Sequence, residues 1–290
     1  MKPAAFEYLR PGSVDEALEL LERHGADAKP LAGGQSLVPA MNFRLAQPAV
    51  LVDLNGVADL AGIAAADGGL RIGAMTRQRA VERSAFAAER APLLAETLPF
   101  IAHPQIRNRG TVGGSLAHAD PAAELPAVMV AAQARLLLRR RGGERRVEAE
   151  RFFTGLFATA LEPGELLTAV ELPAMAPRTG WAFAEVSRRH GDYALVGVAC
   201  LVTLDGRGRC ASARVALLSV GEGPVLAPSV AAALAGAAPT PEAVRAAAEE
   251  VDADVDPPSD IHASAAYRRR LARVLTRRAL TRAFDRAASR

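Results

Sequence analysis

Cysteine is nearly absent from this chain: Cys200 and Cys210 are the only thiols in 290 residues. Two thiols cannot build a four-cysteine iron–sulfur site, and with the five histidines they form no zinc-ligand spacing. Metal chemistry linked to this chain must therefore come from another polypeptide. A disulfide between the two would cross a predicted hairpin, but buried free thiols suit a cytoplasmic chain better. Long apolar runs are missing too. Half the residues are hydrophobic, yet the excess is alanine, and no stretch approaches the ~18 apolar residues of a membrane span. Met1-Lys2-Pro3-Ala4-Ala5-Phe6 has neither an apolar h-region nor a cleavage site. A soluble, cytoplasmic protein is expected. The formal charge of +3 is small for this length, so the arginines create no dominating basic field. G-x-S-x-G and H-E-x-x-H are absent, as are G-x-G-x-x-G after a strand and G-x-x-x-x-G-K-S/T.

Paired glycines are present. Lys29-Pro30-Leu31-Ala32-Gly33-Gly34-Gln35-Ser36-Leu37 and Arg107-Asn108-Arg109-Gly110-Thr111-Val112-Gly113-Gly114-Ser115 each set two adjacent glycines before a small polar position. Such pairs admit φ > 0 and remove the Cβ that blocks close approach. Successive N–H groups can then converge on an anion. Either stretch alone also reads as a tight turn between strand and helix. Two in one chain suit a diphosphate held from both sides.

Around these loops the chain alternates short strands and helices. Ser13-Val14-Asp15-Glu16 reads as a capping box, followed by apolar Val14, Ala17, Leu18 and Leu21 at helical spacing, with Gly25 as the stop. Residues 28–32 predict a strand and 37–45 a helix with Pro39 in its first turn. Residues 51–54 and 70–74 predict strands with a hairpin-like Asp67-Gly68-Gly69 turn between them, and Asp53 reads as a strand-end turn residue. Thr76 is expected to cap a helix to about Arg83. Further helices are expected over 91–101, broken near Pro99, and over 121–132. Residues 134–140 and 145–148 form a predicted hairpin, and 166–172 another strand. Phe152, Phe153 and Phe157 read as core or interface residues. Pro173 to Gly180 is a linker candidate. Beyond it come predicted strands over 181–187, 194–205 and 213–220. Thr240-Pro241-Glu242 starts one helix, and residues 264–287 form another with Tyr267, Leu271, Val274 and Leu275 on one face. Strands followed by helices predict an α+β C-terminal domain.

Two arginine-rich stretches invite a nucleic-acid reading. The hairpin carries Arg135, Arg139, Arg140, Arg141, Arg145 and Arg146, but no aromatics interleave for base stacking; a charged, solvated sheet edge is the better reading. The last helix carries Arg268, Arg269, Arg270, Arg273, Arg277 and Arg278. Glu249, Glu250, Asp252, Asp254, Asp256 and Asp260 lie just upstream and can neutralise them. No nucleic-acid partner is expected. His103 and His118 flank the second loop and read as turn residues, so no catalytic side chain is assigned.

Ala32-Gly33-Gly34-Gln35-Ser36 and Thr111-Val112-Gly113-Gly114-Ser115 resemble the two FAD-diphosphate motifs of the flavin-carrying medium subunit of molybdenum hydroxylases, the family that includes carbon monoxide dehydrogenase and xanthine dehydrogenase. Pro104-Gln105-Ile106-Arg107-Asn108-Arg109-Gly110 and Ala119-Asp120-Pro121-Ala122-Ala123-Glu124-Leu125-Pro126 extend the second match. Glu165-Leu166-Leu167 and Arg189-His190-Gly191-Asp192-Tyr193-Ala194 carry it into the C-terminal half. The resemblance covers nearly the whole chain.

It implies an α+β fold: a two-lobed FAD-binding domain of the vanillyl-alcohol-oxidase/PCMH type over 1–175 (lobes about 1–55 and 56–175), then a smaller α+β domain over 180–290. It implies that Lys29, Pro30, Leu31, Ala32, Gly33, Gly34, Gln35, Ser36 and Leu37, with Gly110, Thr111, Gly113, Gly114 and Ser115, hold the FAD diphosphate and its surroundings. Ile101, Ala102 and Ile106 would line the flavin or its tail, and Ala117 and Leu167 the apolar walls. Glu124 falls at an acidic cofactor-contacting position, and also reads as a helix N-terminal charge. Tyr193 falls near the isoalloxazine, and also reads as an ordinary strand-start aromatic. Relatives commonly carry a lysine shortly before the Arg188-Arg189 pair. Phe183-Ala184-Glu185-Val186-Ser187 has none, which bears on redox tuning.

As an oxidoreductase component, the chain would have two partners: a [2Fe-2S] iron–sulfur subunit and a molybdenum-cofactor large subunit, in a dimer of heterotrimers. Electrons would pass from the clusters to FAD and on to NAD, a quinone or oxygen. The alternatives are a self-contained FAD oxidase or reductase and a basic nucleic-acid-binding module.

Overall fold

The computed structural model describes residues 2–290; Met1, part of the N-terminal reading, lies outside them. The N-terminal portion is built on a small parallel sheet in which Val50–Asp53 lies between Glu7–Leu9 and Ala28–Leu31. Helix Val14–His24 packs on it through Val14, Ala17, Leu18 and Leu21, the predicted stripe. Ser13 Oγ accepts from the Glu16 N–H at 3.2 Å, while Glu16 Oε2 reaches one residue further than a standard box, to the Gly12 N–H at 2.7 Å. Asp53 sits at the strand end and accepts from the Asn55 N–H, the turn role expected of it.

An antiparallel sheet follows, in the order Ile63–Ala66, Gly69–Gly73, Leu166–Leu172, Arg135–Arg140, Gly143–Glu148. Its apolar residues Leu70, Ile72, Leu136, Leu138 and Val170 share a core with helices Pro92–Thr97, Val112–His118 and Glu124–Ala131. Two expectations change here. The strand ahead of the Asp67-Gly68 turn is Ile63–Ala66, and the expected strand near 51–54 belongs to the parallel sheet. Ile63–Ala66 is an alanine-rich edge strand that leaves Ala64 and Ala65 exposed, so it carries little hydrophobic alternation. Thr76 does not cap the next helix. Its Oγ1 bonds the Gly62 backbone, and helix Gln78–Glu82 starts after Arg77.

The C-terminal sheet runs Thr179–Ser187, Ala194–Leu204, Cys210–Leu218, Val225–Leu226, antiparallel throughout. Alternation gives it two apolar faces. Phe183, Ala199, Ala216 and Leu218 join the core of the preceding domain. Ala182, Val198, Cys200, Val215 and Leu217 join a second core with helices Pro228–Leu234, Pro241–Glu249 and Ala265–Ala288. Cys200 lies opposite Val215 and Cys210 opposite Leu204, so the thiols are not cross-strand partners; both are free and buried.

The last helix turns differently from expectation. Tyr267 is 45% exposed, and the buried stripe is Arg268, Ala272, Leu275, Thr276, Ala279, Leu280, Ala283, Phe284 and Ala287. Small residues win that face because helix and sheet nearly touch: a Cβ on Gly180 would overlap the Ala283 carbonyl. Buried Arg268 donates to the Leu195 carbonyl and pairs with Asp260 at 2.6 Å.

All six hairpin arginines, and Arg268, Arg269 and Arg273 on the last helix, are in ion pairs. Arg135, Arg139, Arg140, Arg141, Arg145 and Arg146 reach Glu148, Asp15, Glu162, Glu22, Glu165 and Glu171 respectively. Arg269 pairs with Asp256, and Arg273 with Glu249 and Asp252. Among the described residues, no helix is long and apolar enough to cross a membrane.

Candidate functional site

The two glycine loops, far apart in sequence, meet backbone to backbone. A Cβ on Gly33 would sit 2.5 Å from the Arg109 carbonyl oxygen and 2.8 Å from Gly110 Cα. A Cβ on Gly114 would lie 3.2 Å from the Ala32 Cβ. Only glycine permits this approach. Gly34 adds a left-handed bend at φ 73°.

What the loops offer a ligand differs. In the first, the N–H groups of Gly33, Gly34, Gln35 and Ser36 have no acceptor among the described residues, although all four residues are half-buried. Half-buried unpaired amides ask for an acceptor. The Gln35 side chain donates to the Gly33 carbonyl at 3.0 Å and so steadies the loop's own acceptor side. Ser36, at the start of helix Leu37–Asn42, makes no capping bond, leaving its hydroxyl available. In the second loop most amides are already committed. Those of Gly110, Val112, Gly113 and Ser115 donate to the carbonyls of Ile106, Thr76, Ala74 and Thr111, and that of Gly114 to Thr111 Oγ1 at 3.0 Å. The two loops therefore differ: the first leaves a run of amides unpaired, whereas the second is a closely packed platform with its amides mostly committed, Thr111 buried and Ser115 half-buried. Gly113 is buried against Ala74, a packing role for its missing side chain.

A polar brace holds the loops in place. The Asn55 side-chain amide donates to the Ala32 carbonyl at 3.0 Å, Arg77 donates to Asn55 Oδ1 at 2.5 Å, and Arg77 also donates to the Arg109 carbonyl. Asn55 in turn meets Asp53, which accepts from the Tyr8 hydroxyl. Burial pulls the Asp53 carboxyl up, but the Tyr8 and Asn55 hydrogen bonds outweigh it and leave it below the usual range. Burial, then Arg109, lowers Arg77. No sequence pattern marked Asn55 or Arg77, because their partners lie 22 to 32 positions away.

Ahead of the second loop, Ile101 is buried and Ala102 takes a left-handed φ of 44°. Arg107 fixes that bend by donating to the Ile101 carbonyl at 2.7 Å and the Ala102 carbonyl at 3.3 Å. Its remaining donors grip Glu82 at 2.8 and 3.1 Å, which holds the Glu82 carboxyl below its usual range. Ile106 is half-buried on the turn of helix Pro104–Arg107. Lys29, Pro30 and Leu31 form the strand leading into the first loop, and Leu37 opens the helix leaving it. Ala117 is exposed on helix Val112–His118, whereas Leu167 is in the domain core. His118 packs near Phe157 and is lowered by burial.

On the far side, Glu124 opens helix Glu124–Ala131 with 8% exposure, and burial lifts it to about 7. Tyr193 projects from the loop between strands Thr179–Ser187 and Ala194–Leu204. It is 65% exposed, and partial burial of its hydroxyl, then the nearby Asp120 and Glu124 carboxylates, raise its pKa. Gly191 in that loop lies against the His103 imidazole, leaving no room for a Cβ. The fold thus groups the glycine loops with their brace, and separately gathers Asp120, Glu124 and Tyr193 where the two domains meet.

Comparison with known proteins agrees along the whole chain. Residues 4–175 match the model of the FAD binding domain in molybdopterin dehydrogenase, and residues 181–283 match the CO dehydrogenase flavoprotein C-terminal domain. The 6-hydroxypseudooxynicotine dehydrogenase complex subunit alpha of Paenarthrobacter nicotinovorans is 43% identical, covering 99% of this chain and 97% of its own length. The carbon monoxide dehydrogenase medium chain of Afipia carboxidovorans is 42% identical over 99% of each chain. A solved carbon monoxide dehydrogenase from Hydrogenophaga pseudoflava, lacking the Mo-pyranopterin moiety, superposes with a TM-score of 0.96 at 42% identity, with 99% of each chain covered.

Proposed function

Because the chain belongs to the FAD-binding medium subunits of the molybdenum hydroxylase family, we propose that it relays electrons from the [2Fe-2S] clusters of a partner subunit, through FAD, to NAD, a quinone or oxygen. It is an oxidoreductase component, and FAD is its cofactor. The observation that carries the reading is the row of unpaired amides at Gly33, Gly34, Gln35 and Ser36, set against a second loop at a distance only glycine allows. A diphosphate supplies the acceptors those amides lack. Residues 1–175 would hold the cofactor and residues 180–290 close the cleft.

In this reading Gly33 to Ser36 bind the diphosphate by main-chain N–H donation, and the Ser115 and Thr111 hydroxyls complete its shell. Asn55 and Arg77 hold the two loops at the spacing the ligand requires. Ile101, Ala102 and Ile106 line the approach to the ring, with Arg107 fixing the backbone there. Tyr193 shields the flavin side of the cleft. FAD, when bound, takes up two electrons and can release them singly or as a pair. Substrate oxidation belongs to a molybdenum-bearing large subunit, the three chains assembling as a dimer of heterotrimers.

The test has two parts. The purified full-length chain should be yellow and retain about one flavin per polypeptide. With partner subunits, substrate should bleach the flavin; without them, the same substrate should leave it oxidised. Substrate turnover by the isolated chain would instead mark a self-contained flavoprotein.

A further inference from the structure

Strand Thr179–Ser187 is the outer strand of its sheet, so its outward backbone groups find no strand to pair with. Side chains complete that edge. Glu96, on helix Pro92–Thr97 of the FAD-binding domain, accepts from the Phe183 N–H at 3.2 Å through Oε1. Arg282 and Arg286 of the terminal helix donate to the Phe183 carbonyl at 3.1 Å and to the Trp181 carbonyl at 2.7 Å. Both arginines also close on Glu96, Arg282 on Oε1 and Arg286 on Oε2 at 2.5 Å. One carboxylate, 17% exposed, thus joins two helices and a strand through one main-chain amide and two guanidinium groups. Arg286 also lies 4.9 Å from the Trp181 ring centroid, and Arg290 4.6 Å from it.

What Glu96 holds lies next to the approach to the flavin. The amide it grips belongs to Phe183, whose fully buried ring meets Phe100 edge-on at 5.1 Å. Its own helix runs straight into the turn Leu98–Phe100. Glu96 therefore fixes both sides of the Phe100–Phe183 contact. Phe100 is followed by Ile101 and the left-handed Ala102, whose carbonyls Arg107 holds. We infer that Glu96 is a positioning residue for the flavin: by seating Phe183 on Phe100 it sets the Ile101–Ala102 bend, and so carries the placement of the terminal helix into the cofactor site. The inference rests on the FAD reading for its consequence; the clamp itself does not depend on it. Arg214 supplies the contrast. It too ties the domains, donating to the Val130 carbonyl at 2.8 Å, to the Ala131 carbonyl at 3.2 Å and to Glu150. Those partners stand at and beyond the C-terminal end of helix Glu124–Ala131, and among the described residues no hydrogen bond links them to residues 100–102.

The test compares the full-length wild type with Glu96→Ala, Glu96→Gln and Arg214→Met. Trp181 is the only tryptophan, so its emission reports whether the clamp has opened in each protein. In the FAD-free chains, amide hydrogen exchange over residues 100–107 should run about tenfold faster in Glu96→Ala than in wild type. Glu96→Gln keeps an acceptor for the Phe183 N–H and should fall between the two. Arg214→Met should leave that segment at the wild-type rate, although its thermal midpoint also drops. In the FAD-loaded proteins, Glu96→Ala should alter the visible circular dichroism of the flavin and weaken FAD binding roughly tenfold. Glu96→Gln should again be intermediate, and Arg214→Met should stay within about twofold of wild type. A lowered thermal midpoint in Glu96→Ala, with exchange over residues 100–107 and flavin dichroism unchanged, overturns the inference. So does an equal response in Arg214→Met, which would mark a general loosening of the domain contact. If Glu96→Ala does not fold, Glu96→Gln set against Arg214→Met makes the same comparison. A wild type that takes up no FAD while the exchange contrast persists supports the clamp and removes the FAD reading alone.

Discussion

The two glycine loops share a sequence pattern and do different physical work. Gly33 to Ser36 leave a run of amides without acceptors. In Gly110 to Ser115 the corresponding amides are tied into Ala74, Thr76, Ile106 and Thr111. The first loop keeps its amides unpaired, while the second has most of its own paired within the protein and serves as the surface the first is built against. A glycine pair therefore specifies close approach, and whether it also binds an anion depends on who already accepts its N–H groups.

The largest test of that contrast is Gly33→Val. Its Cβ would enter the Arg109 carbonyl, and backbone cannot yield as a flexible side chain can. Flavin content should fall at least about tenfold, with the far-ultraviolet dichroism unchanged; retained flavin would break the comparison. Next comes Arg77→Met, which removes the links to Asn55 and Arg109. Losing hydrogen bonds from a charged donor costs about 1.5–3 kcal/mol, so FAD affinity measured by fluorescence titration should drop roughly ten- to a hundredfold. A finer test sets Ser115→Ala against Ser36→Ala. The second loop offers hydroxyls in place of amides, so Ser115→Ala should cost more, about 1 kcal/mol against a few tenths for Ser36→Ala. Equal losses would mean the loops are equivalent after all. The smallest effect is expected at Arg139→Ala on the hairpin, whose partner Asp15 is mostly exposed. Flavin affinity should not move, and stability should change by less than about 1 kcal/mol.

Much of this site was legible in the sequence, because glycine pairs announce a backbone requirement directly. The caps Ser13 and Thr240 and the strands around Asp205-Gly206 were equally readable, each depending on local chemistry. What escaped depends on distant partners. Asn55 and Arg77 look like ordinary polar surface residues until the fold brings Ala32 and Arg109 to them. Arg107 lay inside a motif, yet its burial follows from its bonds to the left-handed bend at Ala102 and to Glu82, which the fold brings to it. The terminal helix misled because its larger apolar residues suggested one face while a close-packed sheet selected an alanine stripe. Ala85–Arg90 and Pro228–Leu234 are short, alanine-rich helices with too few large apolar residues to show a period.

The C-terminal sheet has no face turned to water: Phe183 and Ala199 dock into one core, Ala182 and Cys200 into the other. Heat should therefore melt both halves in one transition. A protease cut in the connector at residues 174–178 would leave two fragments still clasped together, and neither half expressed alone would escape aggregation through the apolar strand face it had lost cover for.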